Sequence, residues 1–497
     1  MRSKFLLPAV LLLIAVTRIN FDTNPLFWPD EALFSSPAAN LVENGSFGSP
    51  VLEGLIPGME KATLWNSPLF MVMLSGVYAL TGEDLQWARS LSLIIAFAAL
   101  YFFLLNLELI VSERILLFIL PLVLVYDLTF QRSANTGRMD MLTLLFFLMT
   151  HHQLLMDFLG KDQGKSARRF FLAGIFTGFA GLSHPFAVIL IPVLAIYAFP
   201  DIKKFIFAAL GTALSFSLWL IYIIPNFNIF LIQFGLQMKR KPDMFLLWGG
   251  DTGGIFKVFF SQYGSAVMMI LGLLVFLAVL SAVLNYAWKI RKNILHDPFF
   301  RIAGTFAVIT GFALVSSEGW YVLYCGPFFL ILLAYLSSRA KIDMRKIHSL
   351  KSSLIQNDLP LVLLSLFFIV STVHFTYRQH FVMQTSSTVS SFLKSAVTLS
   401  SECRSVYLRV RPDPYFHLRK INPEMEILEF VPGKLRSEDN QKDLYSRYDQ
   451  IECFLLDAND SWEPGLTDYL SANKEFFNIS YINYSGPVGN NRLFRRK

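Results

Sequence analysis

At 497 residues the chain has room for about three soluble domains, but its composition excludes that organisation. Hydrophobic residues reach 54% and charged residues only 16%, against about a quarter charged in soluble proteins, so the apolar side chains need a bilayer. Disordered, collagenous and disulfide-scaffold classes are excluded, three cysteines (Cys325, Cys403, Cys453) being too few for a disulfide framework or a thiolate cluster.

The net charge of +7 is laid out unevenly. Residues 1–375 carry 27 Lys/Arg and 21 Asp/Glu, whereas 376–497 carry 16 and 15, the density of an ordinary soluble domain. The chain therefore divides near Tyr377 into a helical membrane module, 1–375, and a soluble module, 376–497. A helix crosses the hydrocarbon core in about 20 apolar residues. Such runs lie near 5–20, 88–107, 115–131, 139–159, 169–183, 185–200, 203–224, 265–288, 299–316, 320–338 and 358–375, eleven in all. The first is read as a retained anchor, because no small-x-small cleavage pattern follows its apolar run.

Pro68–Leu80 is too short, at 13 residues, to span comfortably. If it stays out of the bilayer and Arg2 and Lys4 are cytoplasmic, the inner loops collect 18 Lys/Arg against 9 outside in the membrane module. That is the bias that sets membrane orientation. Letting 68–80 cross would turn every later basic loop outward. It is read as a juxtamembrane or re-entrant helix on the outer side, and the odd number of spans places the soluble module outside as well. The outer surface then carries three large pieces: residues 21–87, residues 225–263 and the tail. Long connections without structure of their own are usually functional, which directs the search for chemistry outward.

The first outer piece opens Trp28-Pro29-Asp30-Glu31 and runs to Asn44-Gly45. Pro29 suits a first helical position and Gly45 a C-terminal stop. Two readings stay open for Asp30 and Glu31: acidic residues favoured by a helix N-terminus, or a carboxylate held at the membrane surface as a general base. Further on come Trp65-Asn66-Ser67-Pro68-Leu69, then Leu80-Thr81-Gly82, then Trp87-Ala88-Arg89. Gln131-Arg132-Ser133-Ala134-Asn135-Thr136-Gly137-Arg138-Met139-Asp140 sits at a junction of two spans, and Trp320-Tyr321-Val322-Leu323-Tyr324-Cys325-Gly326-Pro327 opens a late one.

In that order, these motifs resemble the GT-C superfamily of membrane glycosyltransferases, and the series is similar to the bacterial branch of protein O-mannosyltransferase-like enzymes and aminoarabinose transferases. The resemblance covers about residues 1–338. It implies an inverting glycosyltransferase that moves a sugar from a polyprenyl-phosphate donor to a hydroxyl on a lipid, glycan or protein, at the outer face of a bacterial inner membrane. It implies catalytic roles for Asp30 and Glu31, with Arg138 and Asp140 as the family's Arg-x-Asp pair and Tyr321 and Tyr324 in the aromatic segment. A positioning salt bridge is the plainer reading of Arg138 and Asp140. Two departures touch the donor head group: Asn66-Ser67 stands where many relatives have Lys-Pro, and Glu318 where they often carry Lys or His.

Lys239, Arg240 and Lys241 offer a replacement grip on phosphate, or an ordinary contact with anionic membrane lipids. His184, at a turn between two spans, reads as a phosphate or metal ligand or as a helix cap. His151, His152 and Asp127 read as polar groups within or at the ends of spans. No His/Cys spacing forms a metal signature, so a divalent metal stays open and no other cofactor is expected; nor is a nucleic-acid partner.

In the tail, Ser405–Val410, Met425–Phe430 and Gln450–Leu456 read as strands and Pro414–Lys420 and Lys442–Arg447 as short helices, giving a small α/β domain. Cys403 and Cys453 share its compartment, and whether they pair is left open. Sequons at Asn44, Asn459, Asn478 and Asn483 matter only in a eukaryotic secretory setting. Two other functions fit the composition: a transporter or flippase of lipid-linked saccharides, and a non-catalytic assembly subunit. Neither needs a base, and no internal repeat of the transporter kind is present.

Overall fold

The computed structural model describes residues 3–18, 21, 24–160, 164–240, 277, 280, 281, 283–315, 319–344, 386–429, 446–457, 464–482 and 491–497. Its membrane module is helical: α1 (Ser3–Arg18), α2 (Pro29–Asn44), α3 (Leu69–Thr81), α4 (Leu85–Ile110), α5 (Arg114–Tyr126), α6 (Leu128–Ala134), α7 (Asp140–Phe158), α8 (Ser166–Ser183), α9 (Leu190–Ala198), α10 (Ile202–Ile223), α11 (Phe227–Arg240), α12 (Pro298–Val315) and α13 (Val322–Met344). Among the described residues α4, α7, α10 with its continuation to Met238, α12 and most of α13 are long and apolar enough to cross a bilayer. Helix α3 has 13 residues, about 20 Å at 1.5 Å per residue, and packs on α2 instead.

Three expectations need correction. The run 115–131 is not one helix: α5 and α6 meet at 72°. The cause is Asp127, whose backbone is extended and whose carboxylate accepts the Phe130 N–H at 2.9 Å, starting a new helix. Residues 185–200 hold a 3-10 turn, Pro185–Ile189, and only nine α-helical residues, because Pro185 cannot continue α8. The second outer piece begins as helix α11 rather than as a loop. The run 358–375 and most of 265–288 lie outside the described residues.

The C-terminal domain is a five-stranded sheet in the order β2-β1-β3-β5-β4. Its strands are β1 (Ser405–Arg409), β2 (Glu426–Glu429), β3 (Cys453–Leu456), β4 (Phe477–Ile482) and β5 (Asn491–Arg496), with helix α14 (Tyr415–Ile421) between β1 and β2. β1 runs parallel to β2 and β3, and β5 is antiparallel to β3 and β4. The three expected strands are present. β4 and β5 are additions, and α14 answers the expected helix at 414–420, while 442–445 lies outside the described residues. Cys403 and Cys453 form a disulfide.

Two apolar cores organise the molecule. One fills the space between the membrane helices. The second is shared: Phe27, Leu33, Leu52, Ile56 and Trp65 of the first outer piece pack with Tyr407, Leu428, Tyr448 and Phe454 of the sheet domain. The helix carrying Asp30 and Glu31 is therefore buried from both sides, and this sharing of a core is what positions the site.

Candidate functional site

Trp28 is extended and Pro29 takes the first helical position, so Asp30 and Glu31 open α2 as expected. Gly45 ends the helix with a left-handed φ of 67°, a conformation glycine adopts without steric cost. Successive residues on a helix diverge by about 100°, and here that separates two carboxylates completely.

Glu31 turns inward. Its side chain and that of Arg89 are both 0% exposed. Arg89 Nε donates to Glu31 Oε1 at 3.0 Å and Nη2 to Oε2 at 2.8 Å. The same guanidinium bonds the carbonyls of Phe21 at 2.8 Å and Pro25 at 3.1 Å, and the Gly137 N–H donates to Glu31 Oε1 at 2.8 Å. Gly137 is glycine for a steric reason, since a Cβ there would stand 2.9 Å from the Ala88 Cβ. Both Glu31 oxygens are thus occupied by donors and sealed from solvent. This geometry ties the start of α2 to α4 and to the Gly137 turn.

Asp30 turns outward with its side chain 36% exposed, and Arg138 Nη1 lies 3.1 Å from its Oδ2. Arg138 Nε lies 3.2 Å from Asp140 Oδ2, an 8% exposed side chain. One guanidinium therefore bridges the two carboxylates, and Asp140 Oδ1 is buried without a hydrogen-bond partner. Arg138 and Asp140 line a cleft walled by Trp28 and Trp320, whose rings meet edge to face at 6.2 Å, and Asp30 adjoins it through Arg138. The Arg132 guanidinium covers the Trp320 ring at 3.7 Å. Sequence reasoning misses Arg132 and both indoles as site residues. Their signal is faint: a second arginine six positions before Arg138, and a tryptophan beside each motif already singled out.

His184 is the cap of the 3-10 turn. Its Nδ1 accepts the Phe186 N–H at 2.9 Å, which assigns Nδ1 as the unprotonated nitrogen. It packs edge-on against Tyr321, with ring centroids 5.5 Å apart. Tyr321, Phe186 and Tyr324 form an aromatic layer, with centroids 4.3 Å and 4.8 Å apart for the pairs involving Phe186. Tyr321 follows Trp320 in the 3-10 turn Gly319–Tyr321. Ser67, at a departure from the family pattern, donates to the Gly181 carbonyl at 2.8 Å. Lys239 and Arg240 occupy the last turn of α11, which Gln233 fastens to the first outer piece through the Leu64 N–H at 2.7 Å. Lys241 and Glu318 lie outside the described residues.

No protein-family model matches the chain, and no curated protein matches it in sequence. Solved structures do match in fold. ArnT from Cupriavidus metallidurans bound to undecaprenyl phosphate superposes with a TM-score of 0.64 at 11% identity, covering 99% of this chain and 98% of that one. The oligosaccharyltransferase of Archaeoglobus fulgidus gives 0.55 at 12%, covering 99% and 74%. The chain has the GT-C fold. Coverage at both ends takes in the C-terminal domain together with the helices, so the GT-C fold extends beyond residues 1–338, where the sequence resemblance stopped.

Among the described residues no three His, Cys, Asp or Glu side chains gather as a metal site. Asp30 and Asp140 instead share Arg138, whose guanidinium stands between the two carboxylates.

Proposed function

We propose that the protein is an inverting glycosyltransferase that takes a sugar from a polyprenyl-phosphate donor and places it on a hydroxyl of a lipid, glycan or protein. The observation that carries this reading is a solvent-exposed Asp30 carboxylate 3.1 Å from the guanidinium of Arg138, a residue that lines the cleft between Trp28 and Trp320. The structural likeness to ArnT bound to undecaprenyl phosphate supports the donor class.

In this reaction the acceptor oxygen attacks the anomeric carbon from the side opposite the lipid phosphate. Asp30 accepts the hydroxyl proton as the new C–O bond forms. The bond between the anomeric carbon and the phosphate oxygen breaks, and its electron pair leaves with the phosphate. Negative charge grows on those phosphate oxygens, where Arg138 and Arg132 stand to stabilise it; a guanidinium suits two oxygens at once. Trp28 and Trp320 wall the cleft. The inner-loop excess of Lys and Arg supports an outward-facing site, with the N-terminus cytoplasmic and the soluble domain, beginning near residue 376, outside.

The test is Asp30→Asn. Mass spectrometry of envelope glycans and lipids from cells lacking the protein, complemented with wild type or variant, identifies the missing sugar. The variant should restore none of it while melting like wild type. Full restoration by Asp30→Asn would end the proposed role.

A further inference from the structure

The soluble domain shares an apolar core with the first outer piece. The structure gives one of its segments a closer relation to the cleft. Arg411, just beyond β1, lays its guanidinium 3.3 Å from the centroid of the Trp28 ring. Trp28 in turn meets Trp320, whose ring Arg132 also covers. The four side chains make a ladder, Arg132, Trp320, Trp28, Arg411, drawn from α6, the turn before α13, the first outer piece and the soluble domain. Asp30 is two residues from the rung that Arg411 holds.

The same segment continues to grip α2. The Asp413 N–H donates to the Phe27 carbonyl at 3.3 Å. The Tyr415 hydroxyl donates to Glu83 at 2.7 Å, and Arg419 reaches Glu83 at 3.2 Å and Glu43 at 3.3 Å. Glu43 is near the C-terminal end of α2, whereas Phe27 and Trp28 precede its start. Residues 411–419 therefore hold the helix of Asp30 at both ends. Charge agrees with this placement. Burial lowers the Arg411 guanidinium from its ordinary range, and the carboxylates of Asp457 and Asp30 act against that shift.

We propose that Arg411 is a positioning residue of the active site, contributed by the soluble domain, which fixes the Trp28 wall and through it the placement of Asp30. The proposal rests on Asp30 as the base. An indole face covered by a cation is held by the ring quadrupole as well as by contact, so the wall has one preferred position rather than several. The soluble domain then completes the site.

The experiment uses the full chain in detergent micelles and in complemented cells, with Arg411→Gln, Arg411→Lys and Asp30→Asn. Subtracting the fluorescence of a Trp28→Phe variant isolates Trp28, and acrylamide quenching reports its exposure. Formation of the Cys403–Cys453 disulfide checks the fold. Arg411→Gln is expected to raise quenching of Trp28 and to cut sugar transfer on the order of 10²-fold, the usual scale for a misplaced catalytic group. Its binding of undecaprenyl phosphate should hold, and Arg411→Lys should recover part of both losses. Unchanged transfer in Arg411→Gln overturns the proposal, as does lost transfer with Trp28 still protected. If Asp30→Asn keeps transfer, the role of Asp30 falls by itself, and the link from Arg411 to the wall is still decided by the quenching and transfer of Arg411→Gln.

Discussion

Asp30 and Glu31 are neighbours in one helical turn, yet they stand in two regions with opposite physics. On the inner side, Glu31 and Arg89 are fully sealed, and every contact is a short bond to a fixed partner. On the outer side, Asp30 is 36% exposed and shares one guanidinium with Asp140. Taking charges out of water is costly, and it is repaid only when geometry and additional hydrogen bonds are complete. The inner pair meets that demand and thereby bolts α2 to α4. The outer pair is partly solvated and screened, so its contacts can be exchanged for a substrate. A motif of two acidic residues thus holds one sealed group and one exposed group, the latter being the base in the function proposed above.

The largest expected effect breaks the inner region. Arg89→Leu leaves Glu31 buried and uncompensated, which should cost about 3–5 kcal/mol. It should appear as a large drop in melting temperature or loss of folded protein in detergent. Arg89→Met combined with Glu31→Leu should recover part of that loss, because a paired charge is costly to halve and much less costly to remove whole. If the single variant melted like wild type, the bolt would be no bolt.

Next is the pH response of the same side. Burial pushes the Asp413 carboxyl up from 3.8 to about 7, with the Glu31 charge adding and the Tyr415 N–H and Glu429 opposing. The folded protein therefore holds a proton that the unfolded chain releases. This contribution to stability is complete below pH 3.8 and is lost as pH rises to about 7. Asp413→Asn keeps an acceptor for the Tyr415 N–H, which Asp413 Oδ1 now receives at 2.8 Å. It should flatten the stability curve across that window and raise stability above it. A variant whose melting tracks pH as wild type does would remove Asp413 from this account.

Arg138→Gln addresses the outer region, and there the expectation shifts: a smaller fall in melting than Arg89→Leu, because only Asp140 of its two carboxylates is buried, and transfer lower by on the order of 10²-fold, the loss typical of one donor to developing charge. A fall in melting comparable to that of Arg89→Leu would erase the distinction between the regions.

How much of this can be read from the chain depends on the range of the interaction. Apolar run lengths show the five helices long enough to cross a bilayer among the described residues, and Pro29 and Gly45 bracket α2, because those signals are local. The break at Asp127 is hidden inside a continuous apolar run, its only mark being a short capping sequence. β5 is hidden because Arg492, Arg495 and Arg496 break the alternation of a strand. The division of labour between Asp30 and Glu31 is not legible. Residues 31–40 of α2 are all buried, so no amphipathic phase tells which carboxylate faces inward. Arg411 lies in a different module from Trp28, and only the shared core brings them together.

The smallest effect concerns His184, which packs against Tyr321, next to Trp320 in the cleft wall. Its Nδ1 does the work of a cap by accepting the Phe186 N–H, and the Oδ1 of asparagine can accept the same bond. His184→Asn should therefore melt close to wild type and keep transfer, whereas His184→Ala should lose about 1 kcal/mol, the ordinary cost of a missing cap. The informative result is the opposite one. If His184→Asn melts normally but loses transfer, the imidazole does chemistry that a cap cannot, and the outer region extends one aromatic layer deeper than Asp30, Arg138 and Asp140.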